Sequence, residues 1–172
     1  MVQFYTLSRP GEIAEMKWDW IDFDNDVIRF PAEIMKTGRV HEVPMSKQLK
    51  ILLQGMPRVY EYVFTSDHFK RKGEPINRES VRLMFSKAGL GGIQTAHGIR
   101  SIGATWLAEQ GIRENVAELC LAHSSDNQVR KAYQRSEFLD KRRPVMQQWC
   151  DYVDECRAKA HEKIRKELTK HS

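Results

Sequence analysis

This sequence is poor in cysteine and has no long apolar run, and each shortage removes a class of protein. Its three cysteines, Cys120, Cys150 and Cys156, are an odd number with no CxxC pair among them. That speaks against both a disulfide framework and a zinc ribbon. Cys150, Cys156 and His161 lie close in the chain, but their spacing fits no familiar ligand pattern, so three reduced cysteines on helices are expected. No apolar stretch approaches the roughly 20 residues that span a bilayer. The opening MVQFYTLSRPGE also lacks a basic segment leading into an apolar stretch and a small-residue cleavage site. A membrane role is not expected, and the cytoplasm is the expected location. Internal repeats, low-complexity segments and interdomain linkers are missing too, so the 172 residues read as one domain.

What is present is a globular composition with an excess of positive charge. Hydrophobic residues make up 41% and charged residues 30%, and 28 Lys and Arg against 23 Asp and Glu leave a formal charge of +5. With a pI near 9.2, the chain suits an anionic partner such as nucleic acid without requiring one.

Pro10-Gly11-Glu12 reads as a helix start running to about Trp18, with proline at the first helical position and a carboxylate complementing the dipole. Val27 to Pro31 and Val40 to Pro44 read as two short strands of a β-hairpin, with Lys36 near its tip. Ser46 is suited to cap a helix through about Gln54, and Asn77 one from Arg78 to about Ala88, ended by Gly89. Tyr62-Val63-Phe64 reads as a third short strand. From His97 onward the pattern is nearly all helix, over about 97 to 110, 113 to 121, 126 to 134 and 137 to 168. The expected class is α+β, mainly α-helical, with a small antiparallel β-hairpin or sheet.

Several residues are suited to phosphate chemistry. His97-Gly98-Ile99-Arg100 places a histidine and an arginine three apart at a helix start, where the amino-terminal field adds to a planar fork of donors and a group that exchanges protons near neutral pH. Arg9 stands just before another helix start. His123 ends the apolar run Leu119-Cys120-Leu121-Ala122, and Tyr133 follows it by ten positions among Arg130, Lys131 and Arg135. A phenol there could attack phosphorus, with the cations neutralising charge in the transition state. Taken singly, each has an ordinary explanation: a surface arginine near a turn, a solubilising lysine on a hairpin, a capping histidine, a packing tyrosine.

Taken in order, Arg9 with Glu12, Lys36 on a hairpin, HGIR, LAHS and the tyrosine ten residues later, the set resembles the tyrosine recombinase family, catalytic domain, of the prophage integrase type. The resemblance extends over RPGEIAEMKWDWIDFDNDVIRFP, HEVPMS and YQRSEFLDKRRPVMQQWCDYV, nearly the whole chain. Two positions depart from it, Leu7 and Ala122 standing where the family frequently has glycine.

The resemblance implies site-specific DNA recombination or integration, by cleavage and rejoining through a 3′-phosphotyrosine. Arg9 and Arg100 would hold the nonbridging oxygens, and Tyr133 would be the nucleophile. His97 would assist as general base, Lys36 would protonate the leaving 5′ oxygen, and His123 would hydrogen-bond the phosphate. Glu12 would orient Arg9 without reacting. No metal or nucleotide cofactor is implied. The implied partners are double-stranded DNA attachment sites and accessory DNA-bending proteins. The chain would be a monomer or weak dimer in solution and a homotetramer on DNA, its terminal helix packing on a neighbouring protomer, and it would sit at the nucleoid when bound. Family members carry first helices, a core-binding domain and often an arm-binding domain ahead of this region, so residues 1–172 read as one catalytic domain, a fragment of a longer integrase. Weak, salt-sensitive DNA binding is then expected. Two other readings share the same residues: a type IB topoisomerase-like enzyme that reseals the same strand, and a non-catalytic DNA-binding remnant. A third, a basic helical module with a protein partner, leaves the ordered set unexplained.

Overall fold

Capping residues and apolar periodicity set most of the element boundaries of this chain, and helices dominate. The computed structural model describes residues 1–122 and 134–169. Helices α1 (Val2–Thr6) and α2 (Pro10–Ala14) lead into three strands, β1 (Ile21–Asp22), β2 (Val27–Phe30) and β3 (His41–Pro44). These form an antiparallel sheet in the order β1-β2-β3, with Ile28 opposite both Ile21 and Val43. Helices α3 (Lys47–Gln54), α4 (Arg78–Phe85), α5 (Gly98–Glu109), α6 (Glu114–Cys120) and α7 (Gln134–Thr169) follow. The class is therefore the expected one.

Local signals placed several boundaries well. Ser46 Oγ accepts from Leu49 N at 3.2 Å and Asn77 Oδ1 from Glu79 N at 3.0 Å, each satisfying a free amide of a helix start. Gly111 closes α5 with φ 66°. The region after α4 winds more widely over Ser86–Leu90, with Gly89 at φ 77°, so regular helix ends at Phe85 and not at Ala88.

Two expectations fail where the same two segments meet, with Tyr62 reduced to a single antiparallel bridge to Lys17. The first long helix stops at Ala14, short of Trp18, and Tyr62-Val63-Phe64 is not a strand. Val63 N donates to Met16 O at 2.8 Å and Trp18 N to Glu61 O at 3.1 Å, so pairing between distant segments takes the bonds that a longer helix would have used. The sheet's third strand is instead β1, which the sequence pattern did not single out. The helix expected over 126 to 134 falls, except for its last residue, outside the described residues.

The 36-residue α7 is the beam to which the rest is fastened. Trp149 Nε1 donates to Phe4 O at 2.7 Å, and Tyr5 Oη donates to Asp154 Oδ1 at 2.5 Å, holding α1. Arg143 donates to Asn25 O at 2.8 Å and Asp26 O at 3.1 Å at the β1–β2 turn, and Gln147 Nε2 to Gln48 Oε1 at 2.9 Å on α3. Beneath these bonds Trp106 meets Trp149 edge-on at 5.4 Å, over a buried core that includes Ile99, Leu107 and Met146. Each such side chain contributes about 1.5–3 kcal/mol by leaving water. Past Asp154 the helix is exposed along its length and carries ion pairs one turn apart, such as Glu162 with Lys166 at 2.6 Å. Among the described residues, no helix is long and apolar enough to cross a membrane.

Candidate functional site

Arg9 is the cap residue of α2, and its neighbour Glu12 governs it completely. The Arg9 backbone N–H donates to Glu12 Oε2 at 2.7 Å, and its guanidinium donates through Nη1 to Oε1 at 2.8 Å. Glu12 is only 3% exposed and hydrogen-bonds Arg9, and Arg9 lines a cleft. This cleft, about 870 Å³ in volume, is also lined by Lys36, Tyr62, Arg71, Arg78 and His97. Lys36 is exposed on the loop joining β2 to β3, and His97 is exposed at the cap of α5.

Arg100 lies in the first turn of α5 and is 5% exposed. Its Nη1 donates to Leu7 O and its Nη2 to Leu121 O. Those carbonyls precede Arg9 and His123 by two residues each in the sequence, so one side chain ties together the Leu7 and Leu121 backbone. Five donors on a guanidinium leave others for a ligand oxygen. Burial, with the neighbouring Arg9 charge, lowers its pKa to about 10, which leaves it cationic at neutral pH.

Two further residues, Gln3 and Arg142, to which sequence reasoning gave no role, brace this region, and a third, His41, lies beside them. The buried Gln3 donates through Nε2 to Ala96 O at 2.7 Å and to Ser8 O at 3.5 Å, bridging the residues just before His97 and Arg9. Arg142 of α7 donates to Glu42 O of β3 at 2.5 Å and to Leu119 O of α6 at 3.4 Å. His41 of β3, beside that bond, is pushed down to about 3 by burial and then by the charges of Arg142, Arg100 and Arg9, so its ring is neutral at pH 7. A glutamine in a short helix and an arginine in the first quarter of α7 carry no local motif. His41 stood inside the recognisable HEVPMS but had no pattern of its own.

The two departures from the family pattern coincide with left-handed backbone. Leu7 has φ 54° and Ala122 φ 50°, a conformation that glycine adopts without penalty and that costs other residues about 1–2 kcal/mol. Leu7 is fully buried and lies against Gly103, where an added Cβ would sit 2.5 Å from Leu7 Cδ2. Packing thus holds the bend that aims Arg9.

Of the residues expected to carry chemistry, Arg9, Lys36 and His97 line one cleft, and the buried Arg100 lies within electrostatic reach of Arg9. His123 and Tyr133 lie outside the described residues. All three cysteines are free, Cys120 and Cys150 buried and Cys156 exposed. Among the described residues no group of three His, Cys, Asp or Glu is placed to hold a metal.

Residues 1–139 match the phage integrase family. The chain is 42% identical over 156 residues to the prophage integrase IntA of Escherichia coli K12, covering 89% of this chain and 37% of that protein. To the integrase of Shigella phage Sf6 it is 36% identical over 155 residues, covering 88% and 40%. The chain therefore spans about two fifths of the length of these curated relatives. In fold it is similar to the integrase from mycobacterium phage Brujita, with a TM-score of 0.64 at 19% identity over 85% of this chain and 49% of that one.

Proposed function

The chain belongs to the phage integrase family, and from that membership we propose that it supplies the catalytic domain for site-specific DNA recombination through a 3′-phosphotyrosine on Tyr133. The observation that carries this reading is the convergence of Arg9, Lys36 and His97 on one cleft, with the cationic Arg100 within electrostatic reach of Arg9. The Tyr133 phenolate attacks the scissile phosphorus, the P–O5′ bond breaks, and the 3′-phosphate remains on tyrosine. Arg9 and Arg100 hold the nonbridging oxygens as charge builds on them. His97 takes the phenolic proton, Lys36 gives one to the departing 5′ oxygen, and His123 donates to the phosphate. A 5′ hydroxyl from a second strand then attacks the phosphotyrosine, restoring the backbone and freeing the phenol. Residues 1–172 act as one catalytic domain, without a metal or nucleotide cofactor. Their partners are duplex attachment sites, accessory DNA-bending proteins and three further copies on DNA, with a monomer or weak dimer in solution. The reaction belongs to the cytoplasm, at the nucleoid.

Trapping tests this. A library of nicked duplexes, randomised around a nick that lets the short cleaved piece diffuse away, is incubated with the wild type and with Tyr133→Phe. A denaturant-resistant adduct in the wild type alone is the expected result. Salt-sensitive binding without any adduct would reduce the chain to DNA binding, and plasmid relaxation without strand exchange would make it a resealing enzyme of the topoisomerase kind.

A further inference from the structure

The reaction proposed above needs its attacking and leaving oxygens in line through phosphorus, so the arm bearing the nucleophile and the arm bearing the acid must keep a set separation. These arms are separate pieces of chain. Lys36 projects from the loop that runs into β3, and α7 begins at Gln134, the residue after Tyr133. One buried side chain connects the two.

Arg142, 5% exposed, reaches from α7 to the backbone of β3 through Glu42 O at 2.5 Å, and the same Nη1 is 3.4 Å from Leu119 O at the end of α6. Its Nε donates within α7 to Phe138 O at 3.3 Å, which fixes the plane of the fork. The Leu119 carbonyl lies at a helix end, where a cation is favoured, four residues before His123. The guanidinium has no carboxylate among these partners; all three are main-chain oxygens. A buried charge committed to carbonyls from three segments cannot relax cheaply if one segment moves. The exposed Arg157 on the same helix makes a contrast: it pairs with its helical neighbour Asp154, at 3.9 Å.

We propose that Arg142 is a positioning residue for strand cleavage, setting the spacing between the start of α7, to which Tyr133 is joined in sequence, and β3, into which the Lys36 loop runs. It touches no DNA and transfers no proton. This rests on the roles given above to Tyr133 and Lys36, and the experiment separates the two claims.

Arg142→Lys keeps the charge but loses the fork, and Arg142→Met loses both. Each is measured for thermal unfolding, for DNA affinity and for single-turnover adduct formation on the most efficiently trapped duplex. Two substrates are used, one with the natural 5′ oxygen and one with sulfur at the bridging 5′ position, whose thiolate leaves without a proton. Lys36→Ala is the control. Arg142→Lys is expected to cut cleavage of the oxygen substrate by about 100-fold per folded molecule, at DNA affinity within about threefold of wild type. The sulfur substrate should recover about tenfold of that loss, because the misplaced acid is then not needed. Cleavage near the wild-type rate, a loss seen equally in affinity, or no recovery with sulfur while Lys36→Ala recovers would overturn the assignment of Arg142 alone. Failure of Lys36→Ala to recover would remove the acid role of Lys36, and this inference with it. If neither Arg142 variant folds, Arg142 is a structural residue and the proposal is wrong.

Discussion

Glu12 accepts from both ends of Arg9, its backbone N–H at 2.7 Å and its guanidinium at 2.8 Å. A carboxylate this close to the proposed phosphate site would repel the ligand if its charge were loose. Paired and buried, it acts as a bracket for the arginine.

Glu12→Ala is accordingly expected to weaken DNA binding and to lower stability by about 2 kcal/mol, since it removes a helix cap and leaves Arg9 unaimed. Fluorescence anisotropy with labelled duplex and urea unfolding measure the two effects. Tighter binding in the variant would show that repulsion outweighs aiming.

Gly103→Ala places a methyl 2.5 Å from Leu7 Cδ2, inside a region where Leu7 is fully buried. Overpacking of this kind costs about 1–3 kcal/mol. The push falls on the left-handed residue two positions before Arg9, so adduct formation should drop more steeply than the folded fraction in melts and trapping run side by side.

At Ala122, with φ 50°, glycine and valine should shift stability in opposite directions. Glycine relieves about 1–2 kcal/mol of left-handed strain against the loss of one methyl worth about 0.8 kcal/mol. A small net gain is expected from Ala122→Gly and a loss of about 2 kcal/mol or more from Ala122→Val. Urea midpoints that moved together would contradict the left-handed assignment.

His41 makes stability depend on pH. Its folded-state pKa lies near 3, below an ordinary value of 6.5, so the folded protein keeps the ring neutral while the unfolded chain takes up a proton. The contribution is present in full above about pH 6.5 and is lost as pH falls toward 3. His41→Gln should therefore lose less stability than wild type between pH 7 and pH 4 in urea melts, and parallel curves for the two would argue against the neutral ring.

Arg9, Lys36, His97 and Arg100 were legible because each sits in a local frame that sequence announces: a proline-led helix start, a hairpin, the opening turn of a helix. Ser46 and Asn77 were legible in the same way, since a cap is a bond across two or three residues. Family membership followed from order and spacing. These are properties of short stretches and of their sequence along the chain, and composition and pattern determine them before any tertiary contact forms.

Tertiary structure decided what depends on distant backbone. The first long helix gave way at Ala14 because Glu61 and Val63 supplied partners to Trp18 and Met16, and no local propensity records such a competitor. Gln3 and Arg142 became part of the site through carbonyls 93 and 100 positions away in the chain, a separation at which periodicity carries no signal. The neutral state of His41 likewise depends on burial, and then on three arginines brought to it from α2, α5 and α7. The sequence determined which reactive groups this protein has; burial and long-range hydrogen bonds decided how they are aimed, because those energies exist only once separate segments share one interior.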